Sequence, residues 1–215
     1  PVLIEEFTIP FCNCTDGSIR GCWAVTEPDH GSDTLGFGES FFDSPEIRPN
    51  CRAKRDGNEW VINGQKSAWV SGAPVATHCL AHIQIDPSRG FAGIGAAIIP
   101  LDLPGCSKGK PHEMLGMNEL NQCELYFDDV RIPAHYMLLD NADYYFPFGK
   151  QILAGFNMTV ACFATGLARA AFEEAFSYCQ ERVQGGKLLK DHYSVKRRIF
   201  EMFGRVETCR AISRR

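Results

Sequence analysis

The chain has 215 residues, 45% hydrophobic and 22% charged, the proportions of an ordinary globular protein. A formal net charge of -4 leaves no global basic surface for nucleic acid. No apolar run approaches the roughly 20 residues of a membrane span, so none is expected, and no signal peptide is visible. The chain begins at Pro1 and ends in a helical pattern at Ser213-Arg214-Arg215, so it reads as an excerpt of a longer protein. The ten cysteines are scattered through apolar segments such as Ala161-Cys162-Phe163. That placement suits reduced, buried thiols and a reducing compartment better than a disulfide framework.

In chain order, the first informative stretch is Cys22 to Asp33, an apolar strand that breaks into the polar turn Thr26-Glu27-Pro28-Asp29-His30-Gly31-Ser32. Residues Gly36 to Asn50, with Phe37, Phe41, Phe42, Pro45 and Pro49, read as an insertion that packs its aromatics locally. Arg52 to Arg55 runs into Asp56-Gly57, a hairpin signal. Trp60-Val61-Ile62 follows, with a second turn expected at Asn63-Gly64. Ser67 to Ser71, Thr77 to Ile85, Gly93 to Ile99 and Glu124 to Val130 are strand candidates, punctuated by Pro100, Pro104, Pro111 and Pro133. No helix-length periodicity separates them, which predicts an antiparallel β sandwich or barrel.

After residue 148 the pattern turns helical. Leu153, Phe156, Val160, Phe163, Leu167, Ala170 and Ala171 recur at three- and four-residue steps on one apolar face. That helix should run to about Arg182, with Gly185-Gly186 stopping it. Asp191 is placed to cap a second helix, whose face is Val195, Ile199, Met202, Val206 and Cys209. Two such helices form an antiparallel pair that buries too little alone, so further helices are expected beyond Arg215 or in a partner subunit. The fold class is α+β.

Two segments carry the chemistry. In the turn, Thr26 and Ser32 offer hydroxyls, Gly31 permits close backbone approach, and exposed amides suit an anion or the polar edge of a ring. The same residues also suit an ordinary strand-to-loop transition. Trp69 and Ser71 share one strand face, an indole beside a hydroxyl, which suits a flat heterocycle or equally a core tryptophan next to a strand-end serine. Cys12, Cys14 and Cys22, with His78, Cys79 and His82, raise a metal-site alternative, but no C-x-x-C pair occurs and no metal ligand is assigned.

Trp23-Ala24-Val25-Thr26-Glu27-Pro28, Gly31-Ser32-Asp33, Ile62-Asn63-Gly64-Gln65-Lys66 and Trp69-Val70-Ser71 resemble, in order and spacing, the middle-domain signatures of the acyl-CoA dehydrogenases. The resemblance continues through Leu115-Gly116-Met117, Phe127 to Pro133, Gly166 to Ala170, Glu181-Arg182 and Gly186 to Leu189. It implies residues 1–18 as the tail of a preceding helical domain, 19–138 as a β middle domain, and 139–215 as the first helices of a C-terminal helical domain.

The resemblance also implies an FAD cofactor, an acyl-CoA substrate, a homotetramer and an electron-transfer flavoprotein as acceptor. Its location would be the cytoplasm, or the mitochondrial matrix in a eukaryote. Val25 and Thr26 would meet the polar edge of the flavin, Trp69 would flank its ring, and Ser71, where the family has threonine, would bond N5. Trp23 and Val70 complete this wall, Ser32 would sit by the pyrophosphate or the CoA chain, and Arg182 would reach a neighbouring subunit's FAD.

The implied reaction is α-proton removal by a glutamate with β-hydride transfer to the flavin. No catalytic base is found: Phe156-Asn157 is not acidic, so the base is expected beyond Arg215. Asn157, assigned to substrate, and Ala154 depart from the family's arginine and its acidic partner. Gln184-Gly185-Gly186 departs from its aromatic-glycine pair. An acyl-CoA oxidase, a flavin monooxygenase of the same fold or a non-catalytic FAD-binding homologue would share the cofactor motifs.

Overall fold

The computed structural model describes residues 2–214, apart from the side chain of Ala68. Two compact units divide the chain, Pro1–Phe148 and Gly149–Arg215. In the first, a π-helical turn at Ile4–Thr8 runs into α1 (Ile9–Asn13). The strands follow: β1 (Gly21–Ala24), β2 (Arg52–Asp56), β3 (Glu59–Ser71), β4 (His78–Gln84), β5 (Ile94–Pro100), β6 (Cys106–Lys108), β7 (Gln122–Pro133) and β8 (Met137–Leu139). They form one sheet in the order β6-β7-β3-β2-β4-β5-β8, with β1 also paired to β4.

The expected antiparallel pairing holds for most neighbours, but β1 and β2 both run parallel to β4. β1 pairs with His78 to Ala81 and β2 with Gln84, so the two lie in line along one edge of β4. The chain leaves that line at Val25 and rejoins it at Arg52. No turn is needed to rejoin in the same direction, so local sequence carries no sign of the parallel pairing.

The Asp56-Gly57 hairpin forms as expected, joining β2 to β3 in register. The expected turn at Asn63-Gly64 does not form: β3 runs through it as a 13-residue strand, with a register shift against β7 between Ile62 and Gly64. Gly64 sits at φ +132°, and a Cβ there would lie 2.6 Å from the Cys51 Cα, so the glycine serves a close backbone approach. Opposite it, Asp129 takes φ +49°, and the Asn63 amide both donates to Asp129 Oδ1 and accepts from its N–H. The extra residue resets the side-chain phase of β7. Cys123, Leu125 and Phe127 point inward before it, Val130 and Ile132 after it.

Alternate residues of β1, β2, β3, β4, β5 and β7 enter one core cluster. β1 packs on β3, which is not its hydrogen-bonded neighbour, so the sheet curls over its own inner face. The 36–50 insertion builds a second core in which Phe42 stacks on Phe91 with centroids 5.7 Å apart, beside Tyr145 and Phe146. Its aromatics therefore pack beyond the insertion itself.

In the second unit, α2 (Tyr145–Glu181) continues and α3 (Tyr193–Ser213) returns along it. Phe172 meets Phe203 at 5.8 Å and Thr165 meets Ser213 at 3.2 Å, which fixes the antiparallel sense. The expected α2 face is not the one used. Val160, Phe163 and Leu167 stay exposed, and the contacts to α3 come from Thr165 and Phe172, with Cys179 buried. α2 is apolar on more than one side, so periodicity alone does not select the packed one. The α3 face is largely as read, with Val206 buried and Cys209 exposed.

Asp191 does not cap α3; it ends a 3-10 turn, and His192 is the N-cap without a side-chain cap bond. Gly185 and Gly186, at φ +59° and +78°, form the two-residue turn between β9 (Val183–Gln184) and β10 (Lys187–Leu188) rather than a simple helix stop. The helical run Ala142–Glu181 holds a window of mean hydropathy 1.4, long and apolar enough to cross a membrane by length and composition alone. The expectation of no span, drawn from the lack of a long apolar run, loses that ground in this helix.

Candidate functional site

The polar turn and the second half of β3 are joined. Ser67 N–H donates to the Thr26 carbonyl at 2.9 Å. Lys66 Nζ donates to the Val25 carbonyl at 3.0 Å and to Glu27 Oε1 at 2.8 Å. Both charged side chains are 1% exposed. Glu27 also accepts from the N–H groups of Asn50 and Cys51, where the insertion re-enters the sheet. One buried ion pair thus ties the turn, β3 and the end of the insertion together. Both residues lie within the sequence motifs, but local sequence assigns neither a role. The available signal was phase: Lys66 falls on the inward face with Trp60 and Ile62, where a lysine requires a carboxylate.

Beyond Lys66, β3 carries two more residues than β7 before pairing resumes at Val70 with Cys123. Two extra residues leave the alternation of β3 intact, so Trp69 lies on the outward face, 61% exposed, whereas Val70 is 1% exposed and faces the core as Lys66 does. Val70 can therefore contribute only main-chain groups to a ligand. Ser71 Oγ accepts from Gln122 Nε2 at 2.8 Å, which leaves its own proton to donate, and Gln122 Oε1 is buried without a partner among the described residues. Among the described residues, no protein group bonds the N–H of Val25 or Thr26 or the Thr26 hydroxyl, although both residues are half-buried. Gly31 has open space where a Cβ would stand, so the close approach expected there is not made by the protein itself.

Trp23 faces elsewhere. Its indole N–H donates to His82 Nε2 at 2.8 Å, and His82 Nδ1 meets the Tyr145 hydroxyl at 2.9 Å. Since Nε2 accepts, the proton of the neutral ring sits on Nδ1. Burial holds the His82 pKa down at about 3. His78 contacts the Thr77 hydroxyl, so the two histidines serve separate hydrogen bonds. Ser32 lies exposed at the start of a 3-10 turn that Asp33 stabilises through the Gly31 N–H and His30. Asn157 and Arg182 are exposed residues of the second unit.

The structure therefore brings Val25, Thr26, Trp69, Val70 and Ser71 into one linked region. That region offers unused donors, a hydroxyl and an exposed indole ring. These fit the polar edge and the face of a flat heterocycle such as an isoalloxazine. A cleft of about 1030 Å³ lies elsewhere, lined by β2, the start of β3 and the end of the 36–50 insertion, and none of the candidate residues line it.

Comparison with known proteins gives matches to two family models. "Acyl-CoA dehydrogenase, middle domain" matches residues 22–130, and "Acyl-CoA dehydrogenase, C-terminal domain" matches residues 150–215. The rat mitochondrial short-chain specific acyl-CoA dehydrogenase is 28% identical over 97% of this chain and 47% of its own length. The structure of butyryl-CoA dehydrogenase from Megasphaera elsdenii superposes with a TM-score of 0.83 at 28% identity, covering 97% of this chain and 50% of that one. A glutaryl-CoA dehydrogenase from Mycobacterium smegmatis, solved in complex with FADH2, aligns with a TM-score of 0.70 at 26% identity, covering 90% and 45%. The chain spans about half the length of the relatives it matches.

Proposed function

The chain belongs to the acyl-CoA dehydrogenase family, and we propose that it forms one wall of an FAD site in an enzyme that desaturates an acyl-CoA thioester between its α and β carbons. The observation that carries the reading is the Ser67–Thr26 bond, which joins the turn with unused donors to the strand that presents Trp69. FAD, when bound, would supply the acceptor for the β-hydride. The chain's own residues position it. Val25 and Thr26 donate from the turn, Trp69 offers its ring face, and Ser71 donates the proton that Gln122 leaves free. The Glu27–Lys66 pair keeps these donors in place before any ligand arrives, the preorganisation that binding and catalysis both require.

The remaining assignments extend the same reading. Residues 19–138 act as the middle domain and 139–215 as the start of the helical one, with 1–18 the tail of a preceding domain. Ser32 and Asn157 face the acyl-CoA, and Arg182 reaches the FAD of a neighbouring subunit in a homotetramer. A glutamate outside this chain takes the α-proton, and an electron-transfer flavoprotein takes the electrons. The enzyme works in the cytoplasm or, as the rat relative's name says of that protein, in mitochondria.

The test is to purify the full-length protein and add butyryl-CoA anaerobically. A yellow protein that bleaches supports the reading; a colourless one that takes up no FAD overturns it. Slow reoxidation in air favours a dehydrogenase over an oxidase.

A further inference from the structure

Ser71 and Gln122 stand opposite each other at the last paired position of β3 and β7. Their main chains are held on both sides. The Gly72 N–H donates to the Asn121 carbonyl at 2.8 Å, and the His112 N–H donates to the Gln122 carbonyl at 2.9 Å. The pair next to them, Val70 and Cys123, is buried in the core. The side-chain amide of Gln122 is not held in the same way. Its Nε2 donates to Ser71 Oγ at 2.8 Å, and its Oε1, although buried, has no partner among the described residues. We propose that Gln122 is a positioning residue that lets the Ser71 hydroxyl exchange roles, donating a hydrogen bond to flavin N5 before hydride transfer and accepting one from it afterwards. The inference rests on the FAD site proposed above and adds to it a residue that does not itself touch the cofactor.

An amide carries donors on one side and an acceptor on the other, and a hydroxyl is both donor and acceptor. In the observed orientation Gln122 occupies a lone pair of Ser71 Oγ, so the hydroxyl proton is left for an acceptor on the ligand. A nitrogen that receives a hydride offers a lone pair before the transfer and an N–H after it. A hydroxyl fixed as a donor would then face a second donor, and both protons would lack an acceptor.

A half-turn of the Gln122 amide removes that conflict. Oε1 takes the Ser71 proton, and the serine lone pair is released to the new N–H. The last torsion of a glutamine side chain is broad and roughly two-fold, so the half-turn connects two low-energy arrangements. The vacant Oε1 is what leaves the turn open. Among the described residues, no second contact pins the amide in either sense. Only hydrogen bonds change in the protein. The hydride and its electron pair come from the β carbon of the acyl-CoA, and no covalent bond of Ser71 or Gln122 forms or breaks. The result is a site that satisfies both redox states of the cofactor, which is how hydrogen bonds to a ring nitrogen tune its electronics.

The test is the infrared difference spectrum between reduced and oxidised full-length protein loaded with FAD, with and without a heavy carbon isotope in the glutamine side-chain carbonyls. The expected result is an isotope-sensitive amide carbonyl band that moves to lower frequency on reduction, as Oε1 gains the Ser71 proton. Gln122→Leu and Ser71→Ala should each abolish the band, and Ser71→Thr, which keeps the hydroxyl, should retain it. The labelled wild type needs no variant to fold. A bond that served the stability of the strand end alone would leave the amide unchanged between the two states. FAD uptake with no isotope-sensitive band in the wild type, or a band that survives Ser71→Ala, overturns the role of Gln122 and leaves the cofactor site standing. A protein that takes up no FAD overturns both.

Discussion

Lys66 and Glu27 show most directly what a single side chain contributes here. Each is buried, and each is the other's counter-charge at 2.8 Å. Lys66→Met leaves the Glu27 carboxylate uncompensated, which should cost roughly 3–5 kcal/mol of stability. Lys54→Met, at an exposed site on β2, should stay within about 0.5 kcal/mol. Urea denaturation of both variants measures the difference; equal midpoints would refute the locking role. His82 supplies a pH-dependent counterpart. Its folded pKa of about 3 lies below the ordinary 6.5, so the unfolded chain takes the proton first as pH falls. The stability held by neutral His82 is complete above about pH 6.5 and is lost toward pH 3, at up to about 1.4 kcal/mol per unit. The urea midpoint of the wild type should therefore fall more steeply between about pH 7 and pH 5 than that of His82→Gln. Parallel curves would rule it out. At this scale the sequence displayed the donor-rich turn and the indole–hydroxyl pair. It did not display the ion pair or the Trp23–His82–Tyr145 chain, because both join residues far apart in sequence.

At the scale of the element, the two irregularities of β3 matter more than its length. The first, at Gly64, keeps inward residues inward on both sides of the phase shift in β7. The second, between Lys66 and Val70, adds two residues and so keeps the alternation that leaves Trp69 outward. Asn63-Gly64 reads as a turn because that dipeptide is the strongest short hairpin signal. It forms a bulge because Cys51 and Asp129 hold it from outside the segment. Gly64→Ala places a Cβ against the Cys51 backbone at a φ that L-residues avoid, and should cost at least about 1–3 kcal/mol. It should also weaken FAD uptake by the full-length protein, since Trp69 lies five residues along the same strand. A variant with unchanged thermal midpoint and unchanged uptake would show that the bulge is incidental. Hairpins and helices were legible because their signals are local. The parallel β1–β4 pairing was not, because 25–51 leaves and rejoins one sheet edge without a turn signature.

On the scale of the whole molecule, the unresolved demand is the apolar surface of α2. Val160, Phe163 and Leu167 are 62%, 72% and 74% exposed, although α3 already covers the Phe172 side. Length and apolarity alone would equally suit a bilayer. The match of residues 150–215 to a C-terminal acyl-CoA dehydrogenase domain favours a protein cover instead. The two covers differ in what a charge does. Phe163→Asp in the full-length protein removes about 1.5–3 kcal/mol of burial and adds a buried carboxylate, which together should lower the thermal midpoint and the oligomeric mass. Arg169, 58% exposed at the rim of the α2–α3 groove with its i,i+4 partner Glu173, is the control, and Arg169→Ala should change stability by less than about 1 kcal/mol. Light scattering and thermal unfolding read both variants. If wild-type protein partitions into detergent and Phe163→Asp makes it soluble without loss of mass or midpoint, the cover is lipid and the helix-bundle reading of residues 149–215 is wrong.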